Sequence, residues 1–282
     1  CHGKTTVSSM ISTVLTEAGK DPTCVVGGHV KALNGNSSFG KSGILVAEAD
    51  ESDGTFLKYF PQYGVITNID NDHMDHYSSL DAIIDAFERF AGHISDNGGL
   101  FLCADDVIAR NLSLPEKLRT ITYGIDTAAD FMAEDISYHP FGSSYTLTVS
   151  GQKYGKVELS VPGRHNVLNS LPVIGFCLEL GLSLEVILQS LKNFHGAGRR
   201  FEIKGECEGV TVIDDYGHHP NEIKATLEAA SSLGAKRVVV VFQPHRYSRT
   251  LFLSQEFGRC FDNCDKLFIT DIYAASEKPI PG

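Results

Sequence analysis

The first residues of the chain carry the side chains of a phosphate-binding loop. Gly3, Lys4 and Thr5 match the second half of the pattern Gly-x-x-x-x-Gly-Lys-Ser/Thr. In this pattern the glycine lets backbone N–H groups approach phosphate oxygens, the lysine reaches the β- and γ-phosphates, and the hydroxyl holds Mg²⁺. Residues 7–18 predict a helix that Gly19 ends, which is the context that the motif requires. Because Gly-Lys-Thr also occurs by chance, the rest of the chain must decide whether this is a nucleotide site.

A run of acidic residues follows an apolar segment. Residues 43–47 predict a strand, and four carboxylates come directly after it, beginning with Glu48 and ending with Asp53. In open parallel sheets, ligands gather beyond the carboxyl ends of the strands. Mg²⁺ prefers oxygen ligands, and Glu48 is the first acid after the strand, so we predict that Glu48 completes the Mg²⁺ shell that Thr5 begins. The alternative is an acidic, solvent-exposed loop without a metal.

A third polar segment, residues 67–76, follows the strand predicted at residues 63–68. Among its acids stands His73, which could ligate a second divalent ion or position a phosphate. The alternative is an ordinary strand-to-helix loop with an aspartate cap. We expect this segment and the acidic run to share one crevice, because adjacent strands of one sheet would bring them together.

Further polar clusters come later in the chain. Asn166 and Asn169 open a predicted helix three residues apart, so their amides lie on one face and could pair with an adenine edge. The alternative is N-capping by Asn166. Residues 214–220 and 243–249 each follow a predicted strand, and together they predict a second ligand-facing edge.

Apolar runs that alternate with helical patterns predict an α/β fold. Alternation within residues 131–161 predicts antiparallel strands with turns at Gly151 and Gly155. A second α/β pattern begins after residues 195–198. Strands are predicted at residues 43–47, 63–68, 100–103, 119–123, 210–213, 237–242 and 266–269, and helices at residues 79–95, 105–111, 166–180, 184–194, 220–233 and 248–261.

Length and composition exclude some classes of protein. A chain of 282 residues favours two domains, and a net charge of −11 argues against a general nucleic-acid-binding protein. Nucleic acid is therefore not an expected partner. No apolar run reaches the ~20 residues of a membrane span, so a membrane is not an expected partner either. Seven cysteines without C-x-x-C spacing favour free thiols in a reducing cytoplasm.

The motifs occur in an order that resembles the Mur ligase family. Seven segments carry the resemblance over nearly the whole chain, and their joint occurrence by chance is implausible. They are His2-Gly-Lys-Thr-Thr, Glu48-Ala-Asp-Glu-Ser-Asp, Thr67-Asn-Ile-Asp-Asn-Asp-His-Met-Asp-His, Gly163-Arg-His-Asn-Val-Leu-Asn, Arg199-Arg-Phe-Glu, Asp214-Asp-Tyr-Gly-His-His-Pro and Phe242-Gln-Pro-His-Arg-Tyr-Ser-Arg-Thr.

The resemblance implies a fold and a domain division. Members of the family have an N-terminal UDP-binding domain, a central ATPase domain and a C-terminal Rossmann-like domain. We therefore expect residues 1–197 to form an N-terminally truncated central P-loop ATPase domain with a mostly parallel sheet. Residues 198–282 would form a C-terminally truncated Rossmann-like ligase domain. The UDP-binding domain is expected to belong to the same protein but to lie outside this chain.

The resemblance also implies roles for single residues. Cys1 stands where the family usually has Thr, which should be tolerable because backbone groups bind the phosphates there. Lys4, Glu48, His73 and Arg200 are expected to be catalytic. The implied roles are phosphate binding by Gly3, Lys4, Thr5, Thr6 and Arg200, Mg²⁺ binding by Thr5, Glu48 and His73, adenine contact by Asn166 and Asn169, ribose contact by Asp215, and substrate contact by His219, Arg246 and Arg249.

The implied reaction is ATP-dependent amide formation in peptidoglycan precursor synthesis in the cytoplasm. The motifs resemble most closely the branch that joins L-alanine to UDP-N-acetylmuramate, and a fragment alone is expected to be inactive. One alternative is the branch that attaches a murein tripeptide to the same sugar nucleotide. That branch typically has Tyr at the position of Ser52 and Phe-Ala at that of Tyr216-Gly217. Another alternative is a P-loop ATP-binding module without ligase activity.

Overall fold

The protein is described by a computed structural model over residues 1–73 and 76–280. Met74 and Asp75 of the predicted histidine-containing loop lie outside the described residues, as do Pro281 and Gly282. The first part of the chain alternates strands and helices, as predicted. Its strands are β1 (Thr23–Val30), β2 (Gly35–Ser38), β3 (Leu45–Ala47), β4 (Tyr63–Ile66), β5 (Gly99–Cys103), β6 (Thr120–Gly124), β7 (Phe131–His139), β8 (Gly142–Val149) and β9 (Gln152–Leu159), and its helices are α1 (Lys4–Glu17), α2 (Leu80–Ala91), α3 (Arg164–Glu179) and α4 (Leu184–Asn193).

These strands form two sheets. The larger sheet has the order β4-β5-β6-β7-β8-β9, in which β4 to β7 are parallel and β7 to β9 are antiparallel. The smaller sheet has the order β2-β1-β3, and β3 runs parallel to β1. The expected mostly parallel α/β fold is confirmed. The expectation that the strands before the acidic run and before His73 are neighbours in one sheet is wrong, because β3 and β4 belong to different sheets.

Helices cover both faces of the large sheet. Strand β5 is fully buried, with Phe101 in the cluster that includes α1, α3 and α4, and with Leu100 and Leu102 in the cluster that includes α2. A strand buried on both faces is typical of a parallel sheet between helix layers. Across the described ranges, no helix combines the length and hydropathy needed to cross a bilayer.

Three local predictions fail for identifiable reasons. Of the helix predicted at residues 105–111, only Ala109–Asn111 forms a 3₁₀ turn. The Asp105 carboxylate instead accepts hydrogen bonds from three backbone amides of residues 125–127, which competes with helix formation. Gly155 lies inside β9 beside a register shift rather than in a turn. The helix predicted at residues 248–261 is interrupted at Leu253.

The second part of the chain is smaller. It contains an antiparallel pair and a parallel pair of strands with a core cluster formed by Ile223, Leu227, Phe242 and Cys260. Strand β10 was not predicted. Almost all of its residues are exposed, so the strand has no buried face that would produce an apolar alternation in the sequence. The elements are β10 (Glu202–Cys207), β11 (Val210–Asp214), α5 (Pro220–Ser231), β12 (Val239–Phe242), α6 (Tyr247–Phe252), α7 (Ser254–Phe257) and β13 (Lys266–Ile269).

Gly175 lets α3 pack closely on the large sheet, and this contact can be tested. A Cβ atom at this position would lie 2.6 Å from Phe101 Cε1 and 3.2 Å from the Phe131 ring. We expect Gly175→Ala to lower the free energy of unfolding by about 1–3 kcal/mol, despite a helix-propensity gain of about 1 kcal/mol. Denaturant unfolding measures this. The double variant with Phe101→Leu should lose less than the sum of the single variants, and additive losses would contradict the contact.

Candidate active site

The phosphate-binding loop leads directly into α1. Gly3 is the N-cap of the helix with a φ of 87°, and a Cβ atom there would lie 2.6 Å from Asn169 Oδ1. A residue with a side chain would therefore be strained and would clash. The Lys4 ammonium folds back and donates to the Cys1 carbonyl oxygen at 2.6 Å and to Glu51 Oε1 at 3.0 Å. The helix N-terminus and Lys4 together form a site suited to a phosphate group.

Thr5 and Glu48 come together as the sequence predicted. The Thr5 hydroxyl donates to Glu48 Oε1 at 2.9 Å, and the Gly27 amide donates to Glu48 Oε2 at 2.6 Å. Strand β3 places Glu48 at this point because its backbone continues the pairing with β1. A hydroxyl and a carboxylate oxygen side by side at a phosphate-binding loop are the hard donors that Mg²⁺ prefers, so the residues present fit this ion.

His73 lies in a neighbouring acidic cluster rather than beside Glu48. Its Nε2 atom is 3.7 Å from Glu51 Oε1 and 3.6 Å from Asp72 Oδ2. Ligand atoms of Asp50, Glu51 and His73 lie within 4.8 Å of one another. The structure therefore offers two adjacent groups of metal-type donors, one around Thr5 and Glu48 and one around His73.

Glu51 joins the group around His73 to Lys4 of the phosphate-binding loop, and the sequence analysis did not single it out. Its side chain is buried, and its carboxylate contacts both Lys4 and His73. Burial raises the pKa of Glu51, whereas the charge of Lys4 and its hydrogen bond to Glu51 lower it. Its place in the acidic run was the sequence signal for Glu51, and position in that run favoured Glu48, the first acid after the strand.

A cavity of about 360 Å³ extends from the phosphate-binding loop to the second part of the chain. Asn166 and Asn169 line it from α3, and Arg200 and Asp215 line it from the opposite side. Asn166 does not cap the helix, since Gly163 is the N-cap and the Asn166 side chain donates to the Pro162 carbonyl oxygen at 2.7 Å. The capping alternative is therefore wrong, and two buried amides face a cavity of ligand size.

Arg200 and Asp215 are held in place differently. Arg200 Nη1 is 3.7 Å from Glu222 Oε1, and its guanidinium lies 5.7 Å from the Tyr216 ring centroid. The Asp215 carboxylate accepts hydrogen bonds from the backbone amides of Phe201 at 2.8 Å and Gly217 at 2.7 Å. Asp215 thus ties together the two loops that close this end of the cavity.

His2 joins the phosphate-binding loop to the second part of the chain. Its Nε2 atom lies 3.0 Å from Asp70 Oδ2 and its Nδ1 atom 3.2 Å from Glu222 Oε1. Burial lowers the pKa of His2, but the hydrogen bonds to the two carboxylates outweigh burial and raise it. His219 caps α5 in a capping box with Glu222 and lies 3.6 Å from Asp70. The spacing of these residues in the sequence gave no sign of this contact.

Arg249 forms a buried ion pair across the same interface. Its Nη2 atom lies 3.1 Å from Asp72 Oδ1, and both side chains are 7% exposed. The Arg249 Nη1 atom is also 3.1 Å from His245 Nδ1. Arg246 lines a small neighbouring depression with Asn71. The predicted substrate residues of the second part therefore face the loop that contains Asp72 and His73.

The fold and this site define a P-loop α/β protein whose ligand cavity is shared between two α/β units. Residues 1–177 match the Mur ligase middle domain, and residues 199–280 match the Mur ligase glutamate ligase domain. The chain therefore belongs to the Mur ligase family.

Individual relatives are consistent with this membership. The chain is 50% identical to the UDP-N-acetylmuramate–L-alanine ligase of Solibacter usitatus over 283 aligned residues. The alignment covers 100% of this chain and 60% of that protein. It matches the crystal structure of UDP-N-acetylmuramate-alanine ligase from Thermotoga maritima with a TM-score of 0.82 and 32% identity, over 97% of this chain and 60% of that one.

A ligase of the alternative branch is also similar. The UDP-N-acetylmuramate:L-alanyl-gamma-D-glutamyl-meso-diaminopimelate ligase from Neisseria meningitides gives a TM-score of 0.62 and 25% identity, over 69% of this chain and 64% of that one. The chain thus spans about 60% of the length of the alanine ligases that it matches.

The His2 contact predicts how stability depends on pH. A histidine whose pKa is raised by folding stabilises the folded state fully below its unfolded pKa of about 6.5, and this contribution is lost as pH rises through the folded pKa. We therefore expect the wild-type protein to lose more stability between pH 6 and pH 8 than His2→Asn, by about 1.4 kcal/mol for each unit of pKa shift. Thermal unfolding across this range measures it.

The matched control for this experiment is His195→Asn, because His195 is exposed. The control should keep the wild-type dependence on pH. Identical pH profiles for wild type and His2→Asn would contradict a protonated His2 between the two carboxylates.

Proposed function

We propose that the full-length protein is an ATP-dependent ligase that joins L-alanine to UDP-N-acetylmuramate in peptidoglycan precursor synthesis. The observation that carries this proposal is the 50% identity to such a ligase along the entire chain. The residues support it, because a phosphate-binding loop, a pair of Mg²⁺-type donors and a cavity lined by two amides adjoin one another. In this proposal residues 1–197 bind ATP and residues 198–282 close over the reacting groups.

The proposed chemistry has two steps. A carboxylate oxygen of the muramoyl group attacks the γ-phosphorus of ATP, which gives an acyl phosphate and releases ADP. The amine of L-alanine then attacks the acyl carbon and loses a proton, and phosphate leaves with the electron pair of the broken bond. Negative charge develops on phosphoryl oxygens in both steps, so fixed positive groups at this point lower the barrier.

Residues of this chain are assigned to these tasks by position. Gly3, Lys4, Thr5 and Thr6 would hold the phosphates, with Lys4 released from Glu51 to reach them. Thr5 and Glu48 would hold one Mg²⁺, and His73 would contribute to a second. When bound, Mg²⁺ neutralises charge on the phosphate oxygens.

The remaining assignments concern the nucleoside and the substrates. Asn166 and Asn169 would contact adenine, and Asp215 would contact the ribose. Arg200 already lines the cavity and would approach the phosphates. The substrate carboxylate and the amino acid would then lie beside the group formed by His219, Arg246 and Arg249.

The proposed activity is tested with the full-length protein. Phosphate release and product mass are measured with ATP, Mg²⁺ and UDP-N-acetylmuramate, and with either L-alanine or the murein tripeptide as the amine. Turnover with L-alanine and little with the tripeptide is expected. Preference for the tripeptide would replace this proposal with the recycling branch, and ATP binding without either product would leave only a nucleotide-binding module.

The metal assignment predicts a large kinetic effect. Glu48→Gln removes a negative oxygen donor while preserving shape, so turnover of the full-length enzyme should fall on the order of 100-fold or more. Asp53→Asn is the matched control, because Asp53 lies in the same acidic run and its carboxylate accepts hydrogen bonds from Thr55 of its own loop. Turnover of Glu48→Gln within a few-fold of wild type would remove Glu48 from the site.

Arg246 and Arg249 are predicted to act on the substrates rather than on ATP. Arg246→Ala and Arg249→Ala should each raise KM for the sugar nucleotide or L-alanine roughly tenfold or more, as expected for a lost charged hydrogen bond, with little change in ATP affinity. Arg249→Ala should also cost about 3–5 kcal/mol of stability, because it leaves Asp72 buried without its partner. Steady-state kinetics and thermal unfolding separate these effects.

Asp72→Asn combined with Arg249→Ala distinguishes bracing from substrate binding. The double variant removes the buried unpaired charge, so it should recover stability while KM stays raised. Unchanged substrate KM for Arg249→Ala, with loss of stability alone, would mean that Arg249 only braces the interface.

A further inference from the structure

His2, Asp70 and His219 form a group of metal-type donors where the two α/β units meet. One ligand-type atom from each residue lies within 4.8 Å of the other two. His2 belongs to the phosphate-binding loop and Asp70 to the segment after β4, whereas His219 directly precedes α5 of the second part. The group shares no residue with the Mg²⁺-type donors described above, so an ion held here would occupy a separate site.

The separations between the donor atoms fit tetrahedral coordination. Metal–ligand distances of about 2.0–2.2 Å in a zinc site place neighbouring ligand atoms roughly 3.3–3.6 Å apart. His2 Nε2 lies 3.0 Å from Asp70 Oδ2, and His219 Nδ1 lies 3.6 Å from the same oxygen. An ion therefore requires only a small widening of the first contact.

The His219 imidazole has bonding capacity that the protein leaves unused. Its side chain is only 4% exposed, and its Nε2 atom has no hydrogen-bond partner among the described residues. Its Nδ1 atom accepts one long hydrogen bond, from the Asn221 amide at 3.3 Å. Buried polar atoms are almost always satisfied, and an exception calls for an explanation such as an ion. Because this one bond is long, the ring can turn about its Cβ–Cγ bond and offer either nitrogen at little cost.

His2 is held in the orientation that metal-binding histidines adopt. The Glu222 carboxylate lies 3.2 Å from His2 Nδ1 and only accepts hydrogen bonds when ionised. Nδ1 therefore carries a proton, and Nε2, which faces Asp70, is the atom for an ion. A carboxylate on the far nitrogen of a ligating histidine fixes its tautomer and makes it a more basic ligand. The Asp70 carboxylate is also oriented, because its Oδ1 atom accepts from the Asn71 amide at 2.8 Å.

The donor set selects the class of ion. Two imidazoles and one carboxylate are typical of zinc sites that keep an open position, whereas Mg²⁺ prefers oxygen donors. Three protein ligands leave the fourth position for water or for an oxygen atom of a ligand. His2 and Asp70 both line the cavity of about 360 Å³, which gives the ion a path of entry.

We propose that His2, Asp70 and His219 bind a divalent ion of the Zn²⁺ class that bridges the two α/β units. The ion replaces the proton between His2 and Asp70 and ties the phosphate-binding loop to the start of α5. While it is bound, His219 is not available for the substrate contact proposed above, so occupancy of this site would inhibit the proposed reaction. The binding itself does not depend on that reaction and is tested without substrates.

Zinc titration of the full-length protein tests the site, after a chelator has removed metals and with excess Mg²⁺ present to occupy the oxygen donors. One Zn²⁺ per chain should bind. Glu222→Gln should weaken binding by about 10–100-fold, as is typical for the partner behind a ligating histidine, and His219→Gln and Asp70→Asn should weaken it further. His218→Gln and His73→Gln are the matched controls, since neither residue belongs to this group, and both should bind zinc as the wild type does.

X-ray absorption at the zinc edge identifies the ligands in the wild-type protein, so the test does not rely on the folding of variants. Two imidazoles are expected in the wild type, whereas an ion bound at Asp50, Glu51 and His73 would have one. Absence of stoichiometric binding, or a single imidazole in the wild type, would overturn the proposal. Zinc binding by His219→Gln that equals the wild type, or an equal loss in His218→Gln, would also overturn it.

Discussion

The position of the phosphate-binding loop depends on a small set of hydrogen bonds between His2 and the end of β4. The His2 amide donates to Asn68 Oδ1 at 2.7 Å, while the Thr67 hydroxyl and the Asn68 side-chain amide donate to the His2 oxygen at 2.6 and 2.9 Å. These bonds fix the backbone just before Gly3 and hence the direction of α1. Lys4, at the start of α1, contacts Glu51, so the loops after β3 and β4 converge although the strands lie in different sheets.

Buried charges hold the second part of the chain against this loop. His2 is placed between Asp70 and Glu222, and Asp72 is paired with Arg249, so Asp70 and Asp72 each meet a cationic partner. The pKa of Asp72 is about 2, because Arg249 and His73 outweigh the effect of burial. A buried charge without a partner is costly. The same pairs would have to loosen when phosphates and a substrate carboxylate enter, which ties ligand binding to the contact between the two parts.

Much of the fold could be predicted from local patterns. The helical patterns of α1, α3 and α4 were predicted from the sequence, and so was β5, which is a short apolar run. Strand β10 was missed because nearly all of its residues are exposed, so no buried face produces an apolar alternation in its sequence. The helix predicted from Asp105 onwards does not form, because the Asp105 carboxylate accepts hydrogen bonds from a loop 20 residues later in the chain. The periodicity of a single sequence contains no information on such distant partners.

At the candidate active site, the sequence by itself determined which functional side chains occupy the loop after each strand. Thr5 and Glu48 come together because a helix N-terminus and a strand end must meet at the carboxyl edge of an α/β sheet. Only the tertiary structure decided that His73 contacts Glu51 rather than Glu48, and that Arg249 is buried against Asp72. The physical reason is that these choices depend on how two loops and a second α/β unit approach each other. That approach is set by packing and by ion pairs between buried charges. Arg249 and Asp72 form such a pair although they lie more than 170 positions apart in the sequence.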